Sequence, residues 1–177
     1  MVVLAAAVVV WITLDVLWGG PWTRLDARVS DTVLPWGLRR APWPKDAVYV
    51  LTMFGGRVPI VIGIGLLVVL LAAFRRSLQP LLRFAVALGI LTVVVYAFKW
   101  GVGRTAPVID ELHAGGTSYP SGHVPNAILT WGLAAWLAVD YRLPGWAQRL
   151  LAGLRFAGPV FAGTGMLLLD WHWFSDI

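Results

Sequence analysis

Five apolar runs, separated by polar and charged connections, set the plan of this chain: 2–18, 58–74, 81–98, 124–139 and 150–169. Each is close to the ~20 residues that cross about 30 Å of hydrocarbon at about 1.5 Å per residue. None alternates apolar and polar positions as a barrel strand does. Lipid leaves no partner for free backbone groups, so each run is expected to be a helix. The expected fold is therefore all-α, a polytopic membrane helix bundle forming a single embedded domain over 1–177. The first run has no basic residue ahead of it and is long for the apolar region of a signal peptide, so it reads as a span. Residues 19–57 are expected to be an extracytoplasmic or interfacial loop, with 22–38 lying along the interface as an amphipathic helix.

Composition agrees with this pattern. The chain has 177 residues, of which 59% are hydrophobic, against about 45–50% for a soluble domain. Eleven tryptophans suit the headgroup level, where an indole is half solvated. No cysteine is present, which excludes disulfides and thiolate metal ligands. The net charge of +5 is small and dispersed, so nucleic acid is not an expected partner. The bilayer is.

Charge placement gives an orientation. Arg75 and Arg76 follow run two with Arg83 near the start of run three, and Arg142 and Arg149 follow run four with Arg155 near the start of run five, so both connections are basic. The positive-inside rule places both connections in the cytoplasm. The 99–123 segment and the chain's last residues then face the other side. Arg24, Arg28, Arg39, Arg40 and Lys45 in the 19–57 segment run against this rule, so the orientation rests on the majority of connections.

Polar chemistry concentrates at the ends of the runs. Lys99 and Arg104, with Gly101 and Gly103 between them, have the charge and backbone freedom to hold a phosphate, although long cations at a span end also simply snorkel to headgroups. The segment Tyr119-Pro120-Ser121-Gly122-His123 runs into the fourth span. A helix N-terminus there offers free N–H groups to anionic oxygens, with Ser121 and Gly122 as donors, or Ser121 as an ordinary cap. His123 in the first turn is placed to give up a proton. At the end of the fifth run, His172 and Asp176 are spaced i, i+4. On a helix the carboxylate would fix one ring nitrogen and free the other as a nucleophile; otherwise the two form a plain interfacial pair. His113, beside Asp110 and Glu111, lacks such a partner and reads as solvated. His123, His172, Asp170 and Asp176 match no metal-ligand spacing, and Lys99 would oppose a cation, so neither metal nor cofactor is expected.

Together these segments resemble the motifs of the type-2 phosphatidic acid phosphatase superfamily: K-x6-R-P, P-S-G-H and S-R-x5-H-x3-D. The second matches at Pro120, Ser121, Gly122 and His123, the first at Lys99 and Pro107, and the third at His172 and Asp176. Two departures stand out. The arginine of the first motif falls at Ala106, and the Ser-Arg pair of the third at Gly165-Met166. The resemblance implies an integral-membrane lipid phosphate or pyrophosphate phosphatase of the plasma membrane and cell envelope, working without metal on the extracytoplasmic face. His172 would attack phosphorus to form a phosphohistidine, Asp176 would orient it, and His123 would act as general acid. Lys99, Ser121, Gly122 and Arg104 would bind the phosphate of a membrane lipid substrate. The departures keep open a phospho-headgroup transferase of the same fold, and a degenerate lipid-binding member without catalysis. The pattern also implies a sixth span from about His172, supplied by a longer chain, by a second copy, or by a partner completing the bundle.

Overall fold

A computed structural model describes residues 2–107 and 116–177. Seven α-helices occur among the described residues: α1 (Val2–Trp18), α2 (Pro21–Val33), α3 (Pro42–Thr52), α4 (Arg57–Arg75), α5 (Gln79–Val102), α6 (His123–Asp140) and α7 (Gly145–Leu168). Short 3-10 turns follow α2 at Leu34–Trp36 and close the chain at Phe174–Asp176. The chain is an all-α, membrane-embedded bundle, and all five expected runs are helical.

Three helices, α4, α5 and α7, are long and apolar enough to cross a bilayer; α1 and α2, bent by 75° at their junction, form a pair that passes the same test together. The fourth expected span, α6, is less apolar because it occupies the centre. Asn126, Thr130, Ala134, Leu137 and Ala138 are all buried against neighbouring helices, so α6 needs less lipid-compatible surface. Its Pro125 lies in the first turn, where the missing N–H has no helical partner to lose.

Glycine decides how closely α6 and α7 approach. A Cβ on Gly158 would collide with the Trp131 ring, so Gly158 lets that indole lie flat on α7 while its Nε1 donates to the Phe54 carbonyl at 2.8 Å. The larger apolar core lies lower in the bundle, where Ile60, Ile64, Val68 and Leu71 of α4 meet Phe84, Ala134 and Leu137. Much of α4, α5 and α7 remains exposed as Val, Leu, Ile and Phe, the surface a lipid-facing helix presents.

Residues 19–57 differ from the expected loop. Its amphipathic helix is present as α2, with Asp26 and Val33 buried and Arg24, Arg28 and Asp31 exposed. A second helix, α3, was not legible: Pro42 and Pro44 suggest a loop, yet both lie in the first helical turn, where proline is tolerated. The α1–α2 elbow is held by Asp15, buried at the end of α1, whose Oδ1 accepts the Thr23 N–H at 3.0 Å. Asp15 thus caps α2 from a distance. At the other end of the bundle, Arg83 pairs with Asp140 at 3.2 Å and Arg75 donates to the Tyr141 carbonyl at 2.8 Å.

Candidate functional site

The functional side chains gather where α5 and α7 end and α4 and α6 begin. The two histidine segments are joined by main chain: the Ser121 N–H donates to the Asp176 carbonyl at 2.7 Å. His172 is buried, and its Nδ1 lies 3.3 Å from Asp176 Oδ2. The sequence spacing suggested this contact on a helix, but α7 ends at Leu168. His172 and Asp176 meet instead across the reversing segment that leads into the closing 3-10 turn. Asp170 adopts a left-handed φ of 55° at the helix end, which turns the chain back.

Asp176 is almost fully engaged. Its Oδ2 also accepts the Trp173 N–H at 3.0 Å, and its Oδ1 accepts from Arg104 Nη1 at 2.8 Å. With Asp176 facing Nδ1, the Nε2 lone pair of a His172 carrying its proton on Nδ1 is the one left for chemistry. His123, half-buried at the start of α6, is within electrostatic reach of His172, Lys99 and Arg57. Lys99 also acts electrostatically on Asp176. Lys99 and Arg57 thus give His123 a cationic setting, which suits an anionic group.

Each expected phosphate contact has a definite place. Lys99 is buried, and its Nζ donates to the Thr117 and Ser118 carbonyls at 2.8 and 3.3 Å. An ammonium has three protons, so one donor remains. Those bonds also close the base of the 104–118 segment, where Ala106 N–H donates to Gly116 and Ser118 N–H to Arg104. Ser121 is fully buried; its N–H is spent on Asp176, and its Oγ accepts from the His123 N–H at 3.3 Å, leaving the hydroxyl proton. Gly122 has an ordinary φ of −83°, and a Cβ there would meet no protein atom within 4 Å. The missing side chain leaves open space beside His123.

Arg104, expected to bind phosphate, is engaged by protein groups. Nη1 donates to Ser175 Oγ and Asp176 Oδ1, both at 2.8 Å, and Nη2 donates to Asp26 Oδ2 at 2.6 Å. Its plane lies over the Trp173 ring at 5.2 Å. Both terminal nitrogens have acidic partners, so Arg104 ties Asp26 to Asp176. His113, Asp110 and Glu111 lie outside the described residues. Asp170 does not join the pair: it accepts from Ser30 Oγ at 2.8 Å, and burial pushes its carboxyl above the ordinary range while that bond draws it down. Among the described residues no three acids, histidines or cysteines cluster as metal ligands would.

Two residues near the site carried no sequence signal. Arg57 opens α4, is exposed, and lies over the Tyr96 ring at 5.9 Å, one turn before Lys99 on α5. The Gly55 that precedes it packs on the His123 backbone so closely that a Cβ would collide. In sequence, Arg57 looks like the flank of an apolar run. Asp26 looks like a solvated charge on a surface helix, yet it is 1% exposed.

The departures at Gly165 and Met166 also have a structural setting. A Cβ on Gly165 would fall 2.8 Å from Thr52 Cγ2 and 3.0 Å from the Thr52 N, so α3 occupies the place of a side chain. Met166 is fully buried.

A family model described as the PAP2 superfamily matches residues 80–177. No curated protein sequence matches the chain. Among solved structures, the fold is similar to the crystal structure of the first transmembrane PAP2 type phosphatidylglycerolphosphate phosphatase from Bacillus subtilis. The TM-score is 0.77 at 18% identity, over 96% of this chain and 85% of that one.

Proposed function

The chain belongs to the PAP2 superfamily, and from that premise we propose that it is a membrane lipid phosphatase working through a phosphohistidine on His172. The observation that carries the reading is the joining of the two histidine segments: Ser121 bonded to the Asp176 main chain, and Asp176 bonded to the His172 ring. The domain comprises the whole described chain, with α2 packed against the closing 3-10 turn of the site.

The chemistry runs in two displacements. His172 Nε2 attacks phosphorus while the bond to the lipid oxygen breaks, and His123 gives that oxygen a proton. Asp176 holds the Nδ1 proton and stabilises the positive ring. Water then attacks phosphorus, His123 takes its proton, and the P–N bond breaks to release phosphate and restore His172. The remaining Lys99 donor, the Ser121 hydroxyl, the Gly122 N–H and the Arg57 guanidinium bind the phosphoryl oxygens, so catalysis rests on positioning and electrostatics. No step calls for a metal.

The Bacillus structure named for phosphatidylglycerolphosphate suggests a glycerophospholipid phosphate as the first substrate to try. Phosphatidic acid and a polyprenyl pyrophosphate have the same reactive group and are the natural alternatives. The basic connections favour a site on the extracytoplasmic face of the plasma membrane, toward the cell envelope. The test is phosphate release from these lipids in detergent with chelator present. Release that is lost in His172→Ala is expected, and release unchanged in that variant contradicts the proposal. Transfer to an added alcohol instead of water would mark a headgroup transferase.

A further inference from the structure

The contacts that hold the His172–Asp176 turn do not all come from the family-matched region. Asp26 of α2 accepts the Ser175 N–H on Oδ1 at 2.8 Å, and on Oδ2 it accepts Ser175 Oγ at 2.7 Å and Arg104 Nη2 at 2.6 Å. Ser175 Oγ in turn accepts from Arg104 Nη1. Arg104 then reaches Asp176, which reaches His172. One helical turn further along α2, Ser30 donates to Asp170 at 2.8 Å. Asp26 and Ser30 therefore hold the 170–176 segment at its two ends, and the Trp22 ring stacks on Phe174 at 6.3 Å.

We propose that Asp26 is a positioning residue for the nucleophile, and that α2 is a working part of the site as well as a membrane-surface helix. The physical case is the charge arrangement. Two carboxylates share one guanidinium, and all three groups are nearly excluded from water, with side-chain exposures of 1%, 0% and 12% for Asp26, Asp176 and Arg104. Without Asp26, Arg104 faces Asp176 alone, and a low-dielectric surrounding strengthens that pull. The Asp176 carboxylate then turns from the His172 ring toward the arginine, and Ser175 loses both of its bonds to Asp26 and keeps only the one from Arg104. Asp26 balances the arginine from the far side and leaves Oδ2 of Asp176 to the imidazole. Stability alone is a poor reason for such a triad, because burying three charges costs about as much as their attraction returns.

This proposal rests on the reading of His172 as the nucleophile, and its test separates the two. The full chain in detergent is compared with Asp26→Asn, with the milder Ser175→Ala, and with Asp15→Asn. The last loosens the same α1–α2 elbow without touching the turn. Two readouts are taken: kcat and KM on a lipid phosphate, and the Nδ1 proton resonance of His172 in histidine-labelled protein, assigned with His172→Gln. Asp26→Asn is expected to lower kcat roughly 10–100-fold, as loss of an orienting partner does for other functional imidazoles, with KM within about twofold and the resonance shifted or lost. Ser175→Ala should lower kcat about 3–10-fold at unchanged KM, by the loss of one shared hydrogen bond. Asp15→Asn should lower the unfolding temperature and leave kcat and the resonance in place. The proposal is overturned if Asp26→Asn and Ser175→Ala keep both kcat and the resonance, or if Asp15→Asn lowers kcat as much as Asp26→Asn. Should the wild-type protein release no phosphate, the phosphatase reading fails, while the resonance still decides whether Asp26 positions His172.

Discussion

The two ends of the bundle use the same kinds of charged residue in opposite ways. At one end, Arg83 and Asp140 meet at 3.2 Å with side chains 41% and 45% exposed, and Arg83 also lies over the Trp136 ring. At the other, Arg104 is locked between Asp26 and Asp176 at 2.6 and 2.8 Å, almost out of water. An exposed pair is screened and loses about as much side-chain entropy as it gains in attraction. A buried cluster must be complete, because removing one member strands the others. The first end leaves its charges open to their surroundings; the second holds a geometry. Mutations of comparable size should therefore differ greatly in effect, and this difference is what experiment can break.

The largest effect is expected at the nucleophile. His172→Ala should reduce phosphate release at least about 10³-fold, measured with a lipid phosphate in detergent, because no other group can take its place. Next comes His123→Ala, with a loss of roughly 10²–10⁴-fold, as for removal of a general acid. Its loss should shrink for substrates with better leaving groups, such as an aryl phosphate, which need no proton. Arg57→Ala should raise KM about 10-fold and leave the unfolding temperature unchanged, since Arg57 is exposed and, among the described residues, lies against the Tyr96 ring. An unchanged KM would remove Arg57 from the site.

The fourth prediction compares two glycines. Gly122→Ala should cost at most about 1 kcal/mol of stability, because its φ is ordinary and no protein atom is near, yet it should slow turnover by filling the space beside His123. Gly165→Ser restores the family residue and should instead destabilise by about 1–3 kcal/mol, because Thr52 occupies that space. Thermal unfolding and activity assays on both variants check the crossing pattern. The smallest effect is expected for Arg83→Ala: about 0.5 kcal/mol or less, and unchanged turnover.

The sequence carried the bundle well, because lipid forces apolar runs into helices whatever their neighbours. His123, His172 and Asp176 stood out as candidates because their order matches the family motifs. The protein partners of Arg104 were not legible. A glycine-flanked arginine at a span end looks free, and its engagement depends on Asp26, 78 residues away in a different helix. The sequence was silent on Asp26 and α3 because tertiary contacts decide both: Asp26 is buried only once α2 docks on the last turn, and α3 fills a notch that exists only because residue 165 is glycine. The i, i+4 argument reached the right pair by the wrong structure, since the helix ends before the histidine and a 3-10 turn makes the contact.

The central claim is tested most directly by trapping the intermediate. Lipid phosphate labelled in its terminal phosphoryl group is mixed with the protein, chelator present, and quenched in base during turnover. The account predicts label on the peptide carrying His172, stable to base and labile to acid, and absent in His172→Ala. Phosphate release with no protein-bound label, or label that persists in His172→Ala, would contradict it.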